Sequence, residues 1–217
     1  MINIEEVFEK FNIKNPYTRY IGKDIKPNVI GWNGIGPTML NRIRIKKPTT
    51  IIEVGSFLGH STTILGNCRK EVDSEFIIYS IDTWLGSYEH WKKEQCNMLN
   101  LFNFYENGIS SLYDQFIINV ICNNLNNNII PLPCTSNVGY SLLESFNIKA
   151  DLIYVDANHE TEDVYNDLKK YSRLLNNDGI IFGDDYLWDS VRLGVEKYCN
   201  EFNKTLVLED NVFWRIS

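Results

Sequence analysis

From residue 50 to the C-terminus, short apolar runs rich in Ile, Val, Leu and Tyr alternate with longer amphipathic segments. No other feature narrows the fold as much. A run without a polar face reads as a strand buried on both sides, and such strands belong to parallel sheets covered by helices. The runs are Thr50–Val54, Phe76–Asp82, Asn128–Pro133, Asp151–Asp156 and Gly179–Asp184. The helical segments are Ser61–Lys70, Ile109–Asn123, Asn137–Phe146, Glu160–Leu175 and Trp188–Phe202. Two final strands, Thr205–Leu208 and Val212–Ile216, are joined by a tight turn at Glu209, Asp210 and Asn211. They must pair antiparallel, because a parallel pair needs a longer crossover. The expected fold is α/β: a seven-stranded, mostly parallel sheet with its last strand antiparallel and helices on both faces.

Residues 1–48 break this rhythm. Glu5–Phe11 reads as a short amphipathic helix, and Pro37 suits the first position of a second helix through Lys47. Arg42, Arg44, Lys46 and Lys47 match the negative end of that helix. The expected division is an N-terminal helical extension, 1–48, and one domain, 49–217. Gly31-Trp32-Asn33-Gly34 places a Trp in a polar loop ahead of the domain. It reads as part of an acceptor pocket or a contact between copies in a homo-oligomer, or equally as a cover for the sheet edge.

Composition excludes several classes. Of the 217 residues, 44% are hydrophobic and 23% charged, too apolar for a disordered chain. No apolar run is long enough to span a bilayer, and the start lacks the basic and apolar stretches of a secretory signal. With 21 basic against 28 acidic residues the net charge is -7, which disfavours a nucleic-acid partner. The five cysteines, Cys68, Cys96, Cys122, Cys134 and Cys199, are scattered and form no C-x-x-C. Neither a disulfide framework nor a structural zinc site is expected, and a cytoplasmic location is.

Glu53-Val54-Gly55-Ser56-Phe57-Leu58-Gly59-His60-Ser61 joins the first strand to its helix. Open α/β sheets bind ligands beyond the carboxyl ends of their strands. Gly55 and Gly59 permit close approach of a ligand to the backbone. Only two glycines of a dinucleotide fingerprint could be placed, and the loop opens with a carboxylate. A carboxylate repels a pyrophosphate and attracts a cationic ligand. S-adenosylmethionine (SAM) carries an ammonium and a sulfonium and no phosphate. The bland alternative is a tight turn with an incidental Glu. Asp82 ends the second strand, where a carboxylate can accept from both ribose hydroxyls.

Asp156 ends the fourth strand, and Asp184 and Asp185 end the fifth. Neighbouring parallel strands bring three carboxylates to one edge, where a cation offsets their repulsion. Oxygen ligands with open positions suit Mg²⁺. His159 lies three residues beyond Asp156 and is placed to act as a general base, although a helix-start role is the plainer reading.

Together Glu53–Ser61, Asp82-Thr83-Trp84, Asp156–His159 and Gly183–Tyr186 resemble a class I SAM-dependent methyltransferase of Rossmann-like fold. The likeness is to small metal-dependent O-methyltransferases grouped with macrolide-sugar methyltransferases, and more distantly to catechol O-methyltransferase. It covers roughly residues 50–217. The resemblance implies that Glu53, Gly55, Ser56, Gly59, Ser61, Asp82, Thr83, Trp84, Ser136 and Asp156 bind the cofactor. It implies Asp156, Asp184 and Asp185 as ligands of Mg²⁺ (or Mn²⁺) and His159 as the base. Catechol enzymes carry Lys at the position of His159 and Asn in place of Asp185, which points to a non-catechol acceptor, a small molecule or a carbohydrate. Trp84, His90 and Trp91 are expected to cover SAM, to stack on an acceptor, or simply to pack their loop. Two other classes share the fold: SAM-binding proteins without turnover, and metal-independent SAM-fold transferases. The set of Asp156, His159, Asp184 and Asp185 argues against both.

Overall fold

The computed structural model describes residues 3–29, 31, 34–72, 75–91 and 100–217. Trp32, Asn33 and Cys96 lie outside them. Helices α1 (Ile4–Lys10) and α2 (Pro37–Lys46) lead into β1 (Thr50–Val54), α3 (His60–Val72) and β2 (Ile77–Asp82). A small hairpin, β3 (Tyr105–Glu106) and β4 (Ile109–Ser110), precedes α4 (Leu112–Cys122). Then come β5 (Ile129–Pro133), α5 (Ser136–Ser145), β6 (Ala150–Val155) and α6 (Thr161–Tyr171). The chain ends with β7 (Leu175–Gly183), α7 (Asp189–Phe202), β8 (Leu206–Glu209) and β9 (Phe213–Ile216).

Seven strands form one sheet in the order β5-β2-β1-β6-β7-β9-β8. The first five are mutually parallel. The last strand, β9, slots between β7 and β8 and is antiparallel to both, as the tight turn demanded. Asp210 and Asn211 make that turn with positive φ of 50° and 70°, which Asp and Asn tolerate better than most residues. Strand order reverses beside β1: the chain moves outward to β2 and β5, then returns to β6 on the other side. The carboxyl ends of β1 and β6 therefore flank the switch point where such sheets bind ligands.

The strands earned their assignment by burial on both faces. Ile51, Ile52, Ile78, Ile129, Ile130, Leu152 and Ile153 have no exposed surface. The extension shares that core, with Phe8, Phe11, Met39 and Ile43 in the same cluster. Tyr17 donates its hydroxyl to the Ile129 carbonyl at 2.8 Å, which ties the N-terminal segment to the edge strand.

Three boundaries differ from the sequence reading. Residues 109–110 are not helical but pair with Tyr105–Glu106. The turn between them is Asn107-Gly108, both at positive φ (52° and 78°), a dipeptide well suited to a hairpin. Helix α6 stops at Tyr171 and passes through a 3₁₀ turn, Ser172–Leu174. Strand β7 starts at Leu175, and its register against β6 shifts between Ala150 and Leu152. That irregularity absorbs the polar residues Asn176, Asn177 and Asp178 at the lower edge. Among the described residues no helix is long and apolar enough to cross a membrane.

Candidate functional site

The β1–α3 loop turns so sharply that its first residue has to be glycine. Gly55 sits at φ +92°, and a Cβ there would lie 1.9 Å from the backbone oxygen of Asp156. The loop therefore presses directly on the end of β6. Two backbone amides of the same loop are caught by Asp82: Ser56 N and Phe57 N donate to Oδ2 at 3.0 and 2.8 Å. Its other oxygen accepts from Trp84 N at 2.7 Å. One carboxylate thus fixes the loops after β1 and β2 against each other.

Glu53 has a different place from the one the sequence suggested. It is fully buried and lies beneath the loop rather than in the cavity above it. Its carboxylate accepts from four hydroxyls: Ser56 at 2.8 Å, Ser61 at 2.7 Å, Thr62 at 2.5 Å and Ser80 at 2.9 Å. Burial pushes its pKa up, and those four hydrogen bonds oppose the shift. Ser80 faces it because β2 pairs with β1 in that register. Glu53→Leu would strip four hydroxyls, three of them buried, of their acceptor. Each unmet group costs about 1–3 kcal/mol, with partial relief by rearrangement. We expect a loss of roughly 3 kcal/mol in urea unfolding. A change below about 0.5 kcal/mol, the range of an ordinary surface substitution, would contradict this.

Above the loop lies a cavity of about 770 Å³. It runs along the carboxyl edge of the sheet and is bounded by Gly55, Ser56, Ser61, Asp82, Thr83 and Ser136 and by Asp156, His159, Asp184 and Asp185. Gly59 and Trp84 do not border it. Gly59 sits at φ +85° against the Phe116 ring and immediately precedes α3. Trp84 is buried, donates Nε1–H to the Phe57 carbonyl at 2.7 Å, and packs on Tyr113 and Phe116. It braces the glycine loop from behind. Trp91 packs with Phe102 and Tyr105, whereas His90 does line the cavity, stacked on Phe57 with ring centroids 4.9 Å apart.

At the ends of β6 and β7 the structure groups Asp156, His159 and Asp185, whose nearest ligand atoms all fall within 4.8 Å of one another. Asp184 is not in that group. It is buried, and its Oδ1 accepts from the Asp185 amide at 2.6 Å. Asp185 is thereby held at φ 57°, a left-handed conformation that turns its side chain toward His159. Asp156 is fixed through Oδ2 by the Tyr154 hydroxyl at 2.9 Å.

His159 is the hub. Its Nε2 lies 3.2 Å from Asp185 Oδ2 and 3.7 Å from Asp156 Oδ1, yet makes no aligned hydrogen bond and is shielded from solvent. Its Nδ1 lies 2.7 Å from Glu89 Oε1, and the Trp188 ring stands 4.7 Å away. Burial alone would lower the imidazole pKa. The carboxylates of Asp156, Asp185 and Glu89 overcome it and hold the pKa up at about 12. Burial likewise opposes ionisation of Glu89, but His159 and nearby donors bring it down to about 2. Three carboxylates thus enclose the ring and favour its imidazolium form. Glu89 escaped the sequence reading. It lies seventy positions from His159, and only its place in the Tyr88-Glu89-His90-Trp91 loop hinted at a role. Asp167 was also missed: it borders the cavity near Ser136, and burial raises its pKa to about 6.

Known proteins share the family and the fold. Residues 52–186 match a family model described as a methyltransferase domain. No curated protein matches the chain in sequence. Among solved structures, an O-methyltransferase from Bacillus cereus in complex with S-adenosylhomocysteine (SAH) is similar at a TM-score of 0.57 and 12% identity, over 97% of this chain and 90% of that one. The O-methyltransferase TomG from Streptomyces achromogenes, involved in tomaymycin synthesis and solved with SAM, has a TM-score of 0.59 at 12% identity, over 97% and 88%. CalS11, a TDP-rhamnose 3'-O-methyltransferase of calicheamicin biosynthesis, has a TM-score of 0.56 at 16% identity, over 82% and 76%.

Proposed function

The chain belongs to the methyltransferase-domain family, and we propose that it is a SAM-dependent O-methyltransferase acting on a hydroxyl of a small molecule or carbohydrate. One observation carries the reading: a single cavity joins the Gly55 loop and Asp82 to Asp156, His159 and Asp185. SAM, bound there, supplies an electrophilic methyl group. The Gly55–Ser61 loop offers close backbone approach, and Asp82 and Ser136 face the same space from neighbouring loops. The likeness to CalS11 supports a sugar hydroxyl as acceptor.

A divalent cation fits the acidic centre. Asp156 and Asp185 present two carboxylates beside His159, whose buried Nε2 has no hydrogen-bond partner among the described residues. Mg²⁺ or Mn²⁺ suits that donor set, with Asp156 and Asp185 holding it and Asp184 anchoring Asp185 from behind. There it would neutralise both carboxylates and acidify a ligated hydroxyl. Those carboxylates are also what raises the His159 pKa. His159 would serve as the base through Nε2, a role typically contributing about 10²–10⁴-fold. Trp188 and His90 line the same space.

Two measurements test the reading. Calorimetry should show binding of SAM and SAH and none of NAD; the reverse pattern would end it. A screen of glycans, nucleotide sugars and catechols with labelled SAM should give transfer that EDTA abolishes and Mg²⁺ restores. Full-rate transfer by verified metal-free protein would remove the cation from the mechanism.

A further inference from the structure

We propose that Glu89 is the positioning residue of this site, fixing the His159 ring through Nδ1 so that Nε2 is the atom presented to the acceptor. The proposal rests on the reading of His159 as the base and adds what sets its geometry.

An imidazole has two nitrogens and can rotate about its χ angles. To act at a fixed oxygen it must hold one ring orientation and one tautomer, which the partner of the other nitrogen decides. Glu89 Oε1 lies 2.7 Å from Nδ1, within the range of a charge-assisted hydrogen bond. Both side chains are largely buried, so water competes weakly for either. A carboxylate that can only accept at Nδ1 makes Nδ1 the permanent donor. Nε2 is left on the side where Asp156 and Asp185 stand.

Glu89 is itself held. It belongs to a 3₁₀ turn, Tyr88–Trp91, on the loop after β2. The turn is closed by His90, whose backbone N–H donates to the Ser87 carbonyl at 3.0 Å. The His90 ring accepts from Ser87 N at 3.1 Å through Nδ1 and stacks on Phe57 of the glycine loop. Tyr105 donates its hydroxyl to Leu85 O at 2.7 Å and secures the start of the same loop. Glu89 thus reaches the His159 ring from a loop packed on the cofactor-binding turn, and the loop must be in place for the base to be oriented. An acid held only for solubility or helix capping would need none of these contacts.

The test begins without an acceptor. Long-range proton–nitrogen spectra of the imidazoles are recorded on wild-type protein with SAH and Mg²⁺, with His159→Gln identifying the His159 signals. We expect Nδ1 to carry the proton in neutral His159, and Glu89→Gln to shift the tautomer balance toward Nε2–H by about tenfold or more, the effect of a lost charge-assisted bond. Glu89→Asp should fall between the two. SAH and Mn²⁺ affinities, measured by calorimetry, should stay within about threefold, because Glu89 holds neither. With an acceptor from the screen, Glu89→Gln should lower kcat by about 10²-fold with little change in KM, and should cost nothing further on a His159→Gln background. An unchanged tautomer balance overturns the proposal, as does a Glu89→Gln loss that persists without His159. If His159→Gln alone keeps full activity, the base assignment fails instead.

Discussion

Gly55→Ala should cost this protein both its cofactor and much of its stability. The added methyl would stand 1.9 Å from the Asp156 oxygen and 2.4 Å from its carbonyl carbon, and both are backbone. No rotamer change relieves a backbone clash, so β1 and β6 must separate or the loop must refold. The residue would also hold φ +92°, a conformation L side chains rarely adopt, at about 1–3 kcal/mol. We expect a total loss of about 3 kcal/mol or more, which for a chain of this size lowers Tm by roughly 6–12 °C. SAH affinity at a temperature where the variant is folded should drop at least about 100-fold, since a 1 Å displacement of a positioning element costs that much. Gly108→Ala is the control. Its φ is +78°, but a Cβ there meets nothing within 4 Å, so it should lose only about 1–2 kcal/mol and bind SAH normally. Equal behaviour of the two variants would show that φ strain, not the contact with β6, is what matters at Gly55.

The sequence carried the sheet because burial on both faces leaves an uninterrupted apolar run. Thr50–Val54 is one, and it forms β1 without adjustment. It carried the helices less well where a local signal competed. Ile109 fits the apolar period of α4, yet Asn107-Gly108 folds the chain into a hairpin first. The candidate site divides in the same way. Gly55, Asp82 and Asp156 were legible because each ends a strand or opens a loop at the switch point. Glu53 looked like a ligand-facing acid because its charge is visible in sequence. The cage of Ser56, Ser61, Thr62 and Ser80 around it needs the β1–β2 register to appear. Asp184 and Asp185 are chemically identical neighbours, and only the φ of 57° at the second separates the one that faces His159 from the one that holds it there. Glu89 needed a contact across seventy residues, which no local pattern encodes.

That division between Asp184 and Asp185 leads to the other large expected effect. Asp185→Asn should remove a charged oxygen from the proposed cation site while changing almost no volume. Mn²⁺ binding, followed by electron paramagnetic resonance, should weaken at least about 100-fold, more than the loss typical of outer-shell partners. Methyl transfer to an acceptor found in the screen should fall by about 10³-fold, the scale of losing one strong electrostatic contact at the reacting oxygen. SAH affinity should stay within about threefold, because the Gly55 loop and Asp82 are untouched. Asp184→Asn should be milder on all three counts. Its amide oxygen can still accept from the Asp185 N–H, so the left-handed turn at Asp185 survives. The order of the two variants is the sharp result. If Asp184→Asn abolishes Mn²⁺ binding and Asp185→Asn does not, the cation is held by the buried carboxylate, and the pairing of Asp156 with Asp185 around His159 serves only to hold the ring.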